Sequence, residues 1–154
     1  MDTPRDMLMD GAQIVEVETR GYLPASGFTK IIDKGLLNHA AGDELEGFFP
    51  INVALDQNEQ PTEAPSTAAK FATGAIALYS DRAVLGWMKG LIRIKVGSFR
   101  LDRASIVRVD GIELGGADGI DVALADGRVI TLLFGTALDR RLVGEWRREL
   151  GGAL

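Results

Sequence analysis

The amino-acid sequence predicts a mainly β fold, an antiparallel barrel or sandwich capped by one C-terminal amphipathic α-helix. Three observations support this fold class. The 154 residues include 19 glycines and only 6% aromatic residues, which favours many tight turns between short strands. Several segments of the C-terminal half alternate apolar and polar residues, as half-buried strands do. In the last segment the apolar residues instead recur every four positions, which is close to the period of a helix.

The length and composition are those of one ordinary globular domain. Hydrophobic residues make up 46% and charged residues 25% of the chain, which excludes disordered, collagen-like and coiled-coil proteins. No apolar stretch is long enough for a membrane-spanning helix, and the acidic first residues do not follow the pattern of a signal peptide. We therefore expect a cytoplasmic protein. The chain has no cysteine, so it has neither disulfides nor a thiol nucleophile.

The strands of the C-terminal half are predicted from short apolar segments that end at turn residues. In the clearest alternating segment, 91–96, the apolar residues share one face, and Arg93 and Lys95 share the other. Asp126-Gly127 separates two β-rich segments and predicts a hairpin with a type I′ turn. Strands are predicted over residues 74–80, 83–88, 91–96, 105–114, 120–124 and 128–134.

The final segment predicts an amphipathic helix. Thr136 with Asp139 favours a capped start, and Gly151-Gly152 favours a stop. Trp146 lies on the apolar face, so we expect it to anchor the helix on the sheet rather than to bind a ligand. That face is formed by Leu138, Leu142, Trp146 and Leu150, and Val143 widens it.

The N-terminal half is more acidic than the C-terminal half. Residues 1–70 contain 12 acidic and 5 basic residues, whereas residues 71–154 contain 10 acidic and 12 basic residues. Strands are predicted over 12–18, where apolar and acidic residues partly alternate, and over 48–55, where Pro50 favours a sheet edge. Residues 21–34 are predicted to hold a further strand or hairpin.

Four features of the C-terminal half resemble a known family. Gly74-Ala-Ile-Ala-Leu-Tyr-Ser-Asp-Arg-Ala-Val-Leu85 has a strand, a Ser-Asp-Arg turn and a returning strand. Phe99-Arg-Leu-Asp-Arg-Ala-Ser-Ile106 leads into the next strand, and the Asp126-Gly127 hairpin and the helix with Trp146 follow. In this combination, residues 74–150 resemble the bacterial pleckstrin-homology-like (PH-like) and GRAM-like domain family. The resemblance implies a PH-like barrel or sandwich with a helical cap and a tendency to oligomerise.

The resemblance also suggests a division of the chain. Residues 1–55 form an acidic, β-rich N-terminal segment, in which Ile14–Glu18 is similar to the family's first strand. Residues 56–70 are rich in small and polar residues and are predicted to be a flexible linker or loop. Residues 71–154 form the PH-like domain. The compact family form does not contain residues 20–71, which are either a long insertion or a separate element.

The chain lacks the residue patterns of common active sites. Its single histidine, His39, has no serine marked as a nucleophile near it in the sequence. Asp43, Glu44 and Glu46 are acidic neighbours without the order of a calcium-binding EF-hand. The glycine-rich segment 115–121 occurs once and is expected to be a loop. We therefore expect no catalytic residues, no metal and no cofactor, and the protein is not expected to be an enzyme.

Four basic residues form the one suggestive binding cluster, Lys89, Arg93, Lys95 and Arg100. The cluster would attract an anionic partner or a lipid headgroup, or it is simply the exposed face of a strand. A net charge of −5 disfavours nucleic-acid binding. The sequence favours a non-catalytic protein-interaction or scaffold module that binds a protein, including another copy of itself. The alternative is a membrane-surface adaptor that binds anionic lipid through the basic cluster.

Overall fold

The computed structural model describes residues 2–40, 42, 44–64, 70–90, 92–135 and 138–154. Its helices and strands are α1 (Pro4–Glu18), α2 (Thr29–Lys34), β1 (Gly47–Leu55), β2 (Lys70–Leu78), β3 (Arg82–Lys89), β4 (Lys95–Asp102), β5 (Ile106–Leu114), β6 (Ala117–Leu124), β7 (Val129–Leu133) and α3 (Arg140–Ala153). Short 3₁₀ helices cover Ala25–Phe28, Leu36–His39 and Arg103–Ser105. Helices therefore precede and follow the strands along the chain.

The strands of the described residues form one antiparallel sheet in the order β4-β3-β2-β1-β7-β6-β5. Its centre is β1, which pairs with β2 on one side and with β7 on the other, where Val53 lies opposite Leu132. Within the described part of the chain β4 and β5 are the edges, so the sheet is not closed into a barrel. The sequence predicted either a barrel or a sandwich, and the fold class is confirmed as the sandwich. It is a mainly antiparallel β fold with a C-terminal helix, which fits a PH-like arrangement.

The sheet curves so that its β4 edge approaches the turn between β6 and β7. In that turn the guanidinium carbon of Arg128 lies 5.5 Å from the ring centroid of Phe99 on β4. The concave face carries buried apolar side chains. Their removal from water is the main stabilising contribution to folding. Fully buried side chains on this face include Ile76, Leu85, Leu101, Ile120, Ile130 and Leu132.

The N-terminal segment is a helix, so the prediction of a strand over 12–18 is wrong. Thr3 and Asp6 form a reciprocal capping box, and Pro4 begins the helix, where its missing N–H costs nothing. In a strand Val15 and Val17 would share one face, but Val15 is buried and Val17 is exposed. The buried side of α1 instead follows a helical period, with Leu8, Gly11, Ala12 and Val15.

The first strand of the sheet is β1, which lies within the N-terminal segment 1–55. Pro50 belongs to it and lies opposite Ala75 of β2. The pairing of β1 with β7 is confined to Asn52 and Val53. Pro50, which has no N–H to donate, therefore lies where β1 has no partner on the β7 side.

The convex face of the sheet is covered by a helical layer. Residues 21–34 were predicted as a strand or hairpin, but they contain the 3₁₀ helix Ala25–Phe28 and α2, so that prediction is wrong. Gly86 on β3 lets this layer approach closely. A Cβ at Gly86 would lie 2.9 Å from Cγ2 of Ile31 and 3.0 Å from Cδ2 of Leu36.

The predicted strand over 91–96 is wrong in its position. The strand β4 begins only at Lys95, and Ile92, which was expected on a buried face, is 98% exposed. Gly97-Ser98 was predicted to end the strand, yet both residues lie inside β4. A Cβ at Gly97 would collide with the Trp87 indole, so the glycine here makes room for a neighbouring ring instead of breaking the strand.

The hairpin at Asp126-Gly127 is confirmed between β6 and β7. Its turn is not type I′, because φ is positive at Gly127 (91°) but not at Asp126. The Leu124 N–H donates to the Arg128 carbonyl, and the Gly127 N–H donates back to the Leu124 carbonyl, which suits a longer loop with glycine in the left-handed position. The glycine-rich loop predicted over 115–121 is shorter than expected, since β6 begins at Ala117.

The C-terminal helix packs as its spacing predicts. Trp146 is 2% exposed and Leu150 is fully buried, and α3 lies against β5 and β6. Asp139 is the N-cap and accepts a hydrogen bond of 2.8 Å from the Arg141 N–H. The predicted stop at Gly151-Gly152 is wrong, because α3 continues to Ala153.

Residues 56–64, the first part of the predicted linker, are hydrogen-bonded to the sheet. The Thr62 N–H donates to the Ala54 carbonyl, and the Thr131 N–H donates to the Thr62 carbonyl. The Ala64 N–H donates to the Thr131 hydroxyl at 2.9 Å. Other parts of the sequence predictions lie outside the described residues, namely residues 65–69 of the linker, Leu91, Asp43 and the proposed cap at Thr136.

Candidate functional site

The structure separates the four basic residues that the sequence grouped together. Lys95 lies opposite Lys89 in the register of β3 and β4, and Arg93 is exposed in the preceding bend. Arg100 is five residues from Lys95, so it lies on the other face of β4, about 17 Å along the strand. Arg100 is also ion-paired, 2.8 Å from Asp102. The cluster is therefore not a single strand face.

Three of the four basic residues do surround a protruding apolar segment. We call residues 92–95 the basic tip; it consists of Ile92, Arg93, Ile94 and Lys95. Ile92 is 98% and Ile94 39% exposed, while Arg93 and Lys95 are also at the surface. Lys89 stands beside the tip with its Nζ 3.8 Å from Glu59. Exposed isoleucine next to exposed cations is a combination that favours contact with a partner of mixed apolar and acidic character.

A second candidate site was missed by the sequence analysis. It is a cleft of about 450 Å³ between α1, the residues that lead into β1, and α3. We call it the acidic groove. Its carboxylates are Asp2, Asp10, Glu18, Glu44, Glu46 and Glu149. Its apolar lining is Met7, Ile14, Leu45, Phe48, Phe49 and Trp146.

The helical spacing of α1 builds one wall of the acidic groove. Met7, Ile14 and Glu18 follow one another at intervals of seven and four residues, so they lie on one face of the helix. The floor is close to α1 because residue 11 is glycine. A Cβ at Gly11 would lie only 2.8 Å from the Cβ of Phe48. The groove therefore depends on α1, part of which the sequence analysis wrongly predicted as a strand.

The acidic groove carries uncompensated negative charge. Of its carboxylates, Glu46 is ion-paired with Arg103 at 2.7 Å, and Glu18 accepts a hydrogen bond of 3.0 Å from the Trp146 indole N–H. Within the described part of the chain, Asp10, Glu44 and Glu149 have no ion-pair partner, and none of the lining residues is basic. Like charges gathered over apolar walls attract a ligand that is both cationic and apolar.

The residues considered for catalysis form no complete catalytic arrangement in the described residues. Nε2 of His39 lies 3.4 Å from the Ser98 hydroxyl oxygen, but no carboxylate among the described contacts orients the imidazole, as a Ser-His-Asp triad requires. The backbone carbonyl of His39 accepts a 2.8 Å hydrogen bond from the buried Arg82 guanidinium. The position of His39 is thus explained by this structural contact.

The acidic and glycine-rich segments also have structural roles. Glu44 and Glu46 lie on the rim of the acidic groove. Asp118 pairs with Arg147 at 3.2 Å, and Asp121 accepts a hydrogen bond of 2.6 Å from Thr131. The described residues contain no group of three or more acidic or histidine side chains placed to hold a metal ion.

No protein-family model and no curated protein sequence matches this chain. The site must therefore be interpreted from its own geometry and chemistry. Among the helices that the structure describes, none has the length and apolar character needed to cross a membrane.

Proposed function

We propose that this chain is a non-catalytic protein-interaction module with a PH-like fold, and that the acidic groove is its binding site. The observation that supports the proposal is the combination of an apolar lining with carboxylates that lack cationic partners in the described part of the chain. A polypeptide that presents Lys or Arg beside apolar side chains matches both properties.

The charge of the groove disfavours the other classes of ligand. Phosphate groups of nucleotides, nucleic acids and lipid headgroups would be repelled by the carboxylates that surround the cleft. The apolar lining disfavours a small hydrophilic cation, since it would gain nothing from such a ligand. Ile14, which is 59% exposed, would contribute about 1 to 2 kcal/mol if a partner covered it. The groove is therefore better suited to a basic amphipathic segment.

Calorimetry with two synthetic helical peptides tests the proposed function. Both peptides carry the same apolar face, and the charged face is Lys/Arg in one and Glu in the other. We expect the basic peptide alone to bind, and its affinity to fall as salt is raised. Glu149→Lys should weaken binding about tenfold or more. Glu113→Lys is the matched control, because Glu113 is exposed on β5 and does not line the groove. Equal binding of both peptides, or equal affinity of both variants, would contradict the proposal.

A second candidate function is a membrane-surface adaptor. Exposed Ile92 with Arg93 and Lys95 beside it favours this alternative, because an apolar residue flanked by cations can enter an anionic membrane surface. Arg100, the fourth residue of the cluster, is held by Asp102 and adds less charge. Co-sedimentation with phosphatidylserine vesicles tests the adaptor: binding that fades with salt supports it, and absence of binding at low salt rejects it.

A further inference from the structure

We infer that the basic tip of one copy docks into the acidic groove of a second copy. This inference rests on the proposed function, since it names the partner of the same groove. In this inference the partner of the tip is a protein surface. Membrane binding through the tip would contradict the inference.

The chemistry of the two surfaces is complementary. The basic tip presents Ile92 and Ile94 with Arg93 and Lys95 beside them. The acidic groove presents an apolar lining that includes exposed Ile14, together with carboxylates without cationic partners in the described residues. Docking would cover apolar side chains on both surfaces and bring opposite charges together.

The local backbone makes the tip a defined projection. Gly90 has a φ of +102°, a conformation that favours glycine. A Cβ at this position would collide with the carbonyl of Arg93, so Gly90 and Arg93 lie close together at the base of the tip. The register of β3 and β4, which pairs Lys89 with Lys95, fixes the base of this projection.

The positions of the two surfaces exclude docking within one molecule. The groove includes Gly47 at the start of β1, which lies opposite Leu78 at the end of β2. Leu78 in turn lies opposite Ala83 near the start of β3. The tip follows the far end of β3, beyond Lys89 and about 20 Å away along the strand. The tip of one molecule can therefore reach only the groove of another, in a contact between two different surfaces.

Another exposed apolar and basic pair provides a control. Val107 on the edge strand β5 is 64% exposed, and its neighbour Arg108 is also at the surface. The Arg108 guanidinium is already held by Asp110 at 2.6 Å. An equivalent double substitution at these two positions changes an exposed apolar and an exposed basic side chain without touching the tip.

Analytical ultracentrifugation of the full chain at increasing concentration tests the inference. We expect the parent chain to associate, and the association to weaken between about 0.05 M and about 0.5 M salt. The double variant Ile92→Ser/Arg93→Glu should raise the dissociation constant about tenfold or more, as should Glu149→Lys. The controls Val107→Ser/Arg108→Glu and Glu113→Lys should associate like the parent. Circular dichroism checks that all variants keep the native secondary structure.

Mixing the tip variant with the groove variant gives the decisive result. Each variant retains one intact surface, so a one-to-one mixture should form heterodimers at concentrations at which neither variant associates alone. A mixture that stays monomeric would overturn the inference, as would a parent chain that remains monomeric at every concentration. Loss of vesicle binding by the tip variant, with self-association unchanged, would assign the tip to membranes. If the parent stays monomeric yet binds the basic peptide, the inference fails and the proposed function stands.

Discussion

Truncation of Trp146 should destabilise the whole fold. The side chain is 2% exposed, and its indole N–H donates a 3.0 Å hydrogen bond to Glu18 of α1. Trp146→Ala removes the ring from between α3 and the sheet and breaks the link to α1. Truncations of this kind cost about 3 to 5 kcal/mol in the free energy of unfolding. For a chain of this size that corresponds to a melting temperature lower by about 6 to 20 °C.

Urea and thermal unfolding, followed by circular dichroism, measure this loss. Trp146→Phe keeps a six-membered aromatic ring but loses the rest of the indole with its N–H donor, so its loss should be smaller than that of Trp146→Ala. Arg148→Ala is the matched control on the same helix, because Arg148 is exposed, and its effect should stay within about 0.5 kcal/mol. If Trp146→Ala melts at the temperature of the parent chain, the role of Trp146 as a core anchor is refuted.

Two further predictions concern the convex face and the response to acid. Gly86→Val should destabilise the protein, because the new side chain would collide with Ile31 and Leu36; a urea midpoint equal to that of the parent would contradict this. The hydrogen bond from Arg82 lowers the pKa of the Asp81 carboxyl below its usual value. Its stabilising contribution is complete above the unfolded-state pKa of about 3.9 and is lost as the pH falls towards the folded-state pKa. Asp81→Asn should therefore make the decline of stability below about pH 4 less steep in acid titrations, and an unchanged slope would argue against this role.

The hairpin and the helix with unambiguous local signals were predicted correctly from the sequence. The Asp126-Gly127 turn and the four-residue spacing of Leu142, Trp146 and Leu150 involve only near neighbours in the chain. Such patterns fix the period of an element without knowledge of its tertiary contacts. The β6–β7 hairpin and α3 were therefore both found.

Two of the errors have different causes, a local helix signal that was missed at α1 and a tertiary contact at Gly97. Residues 12–18 fit both a short alternating pattern and a helical one. The capping box at Thr3 and Asp6, which distinguishes the two, lies before this segment in the chain. Gly97 resembles a strand break in sequence, but it makes room for the Trp87 ring on the adjacent strand. The available signal for α1 was the Thr3-Pro4 start with an acidic residue at position 6, which is a recognisable helix beginning.

The acidic groove could not be predicted because its residues are distant in the chain. Asp10 and Ile14 belong to α1, Phe48 to β1 and Glu149 to α3. Once residues 12–18 are taken as a strand, Met7 and Asp10 fall outside the predicted element, although the helix carries them together with Ile14 and Glu18. The groove then has no wall. The basic tip was missed for a different reason. Its Ile92 was predicted on a buried strand face, whereas the exposure of this side chain is the property that marks the tip.

The N-terminal helix contributes both buried side chains and one wall of the acidic groove. Trp146 links α1 to α3 and the sheet. Its ring packs α3 against the sheet and lines the acidic groove, and its indole N–H donates to Glu18 of α1. A sandwich capped by α3 alone would have only one wall of the groove. Docking of α1, which the glycine at residue 11 permits beside Phe48, supplies the second wall and the apolar side chains of Met7 and Ile14. The site therefore belongs to the combination of α1 with the sheet and α3, and a search for function confined to residues 71–154 would not have found it.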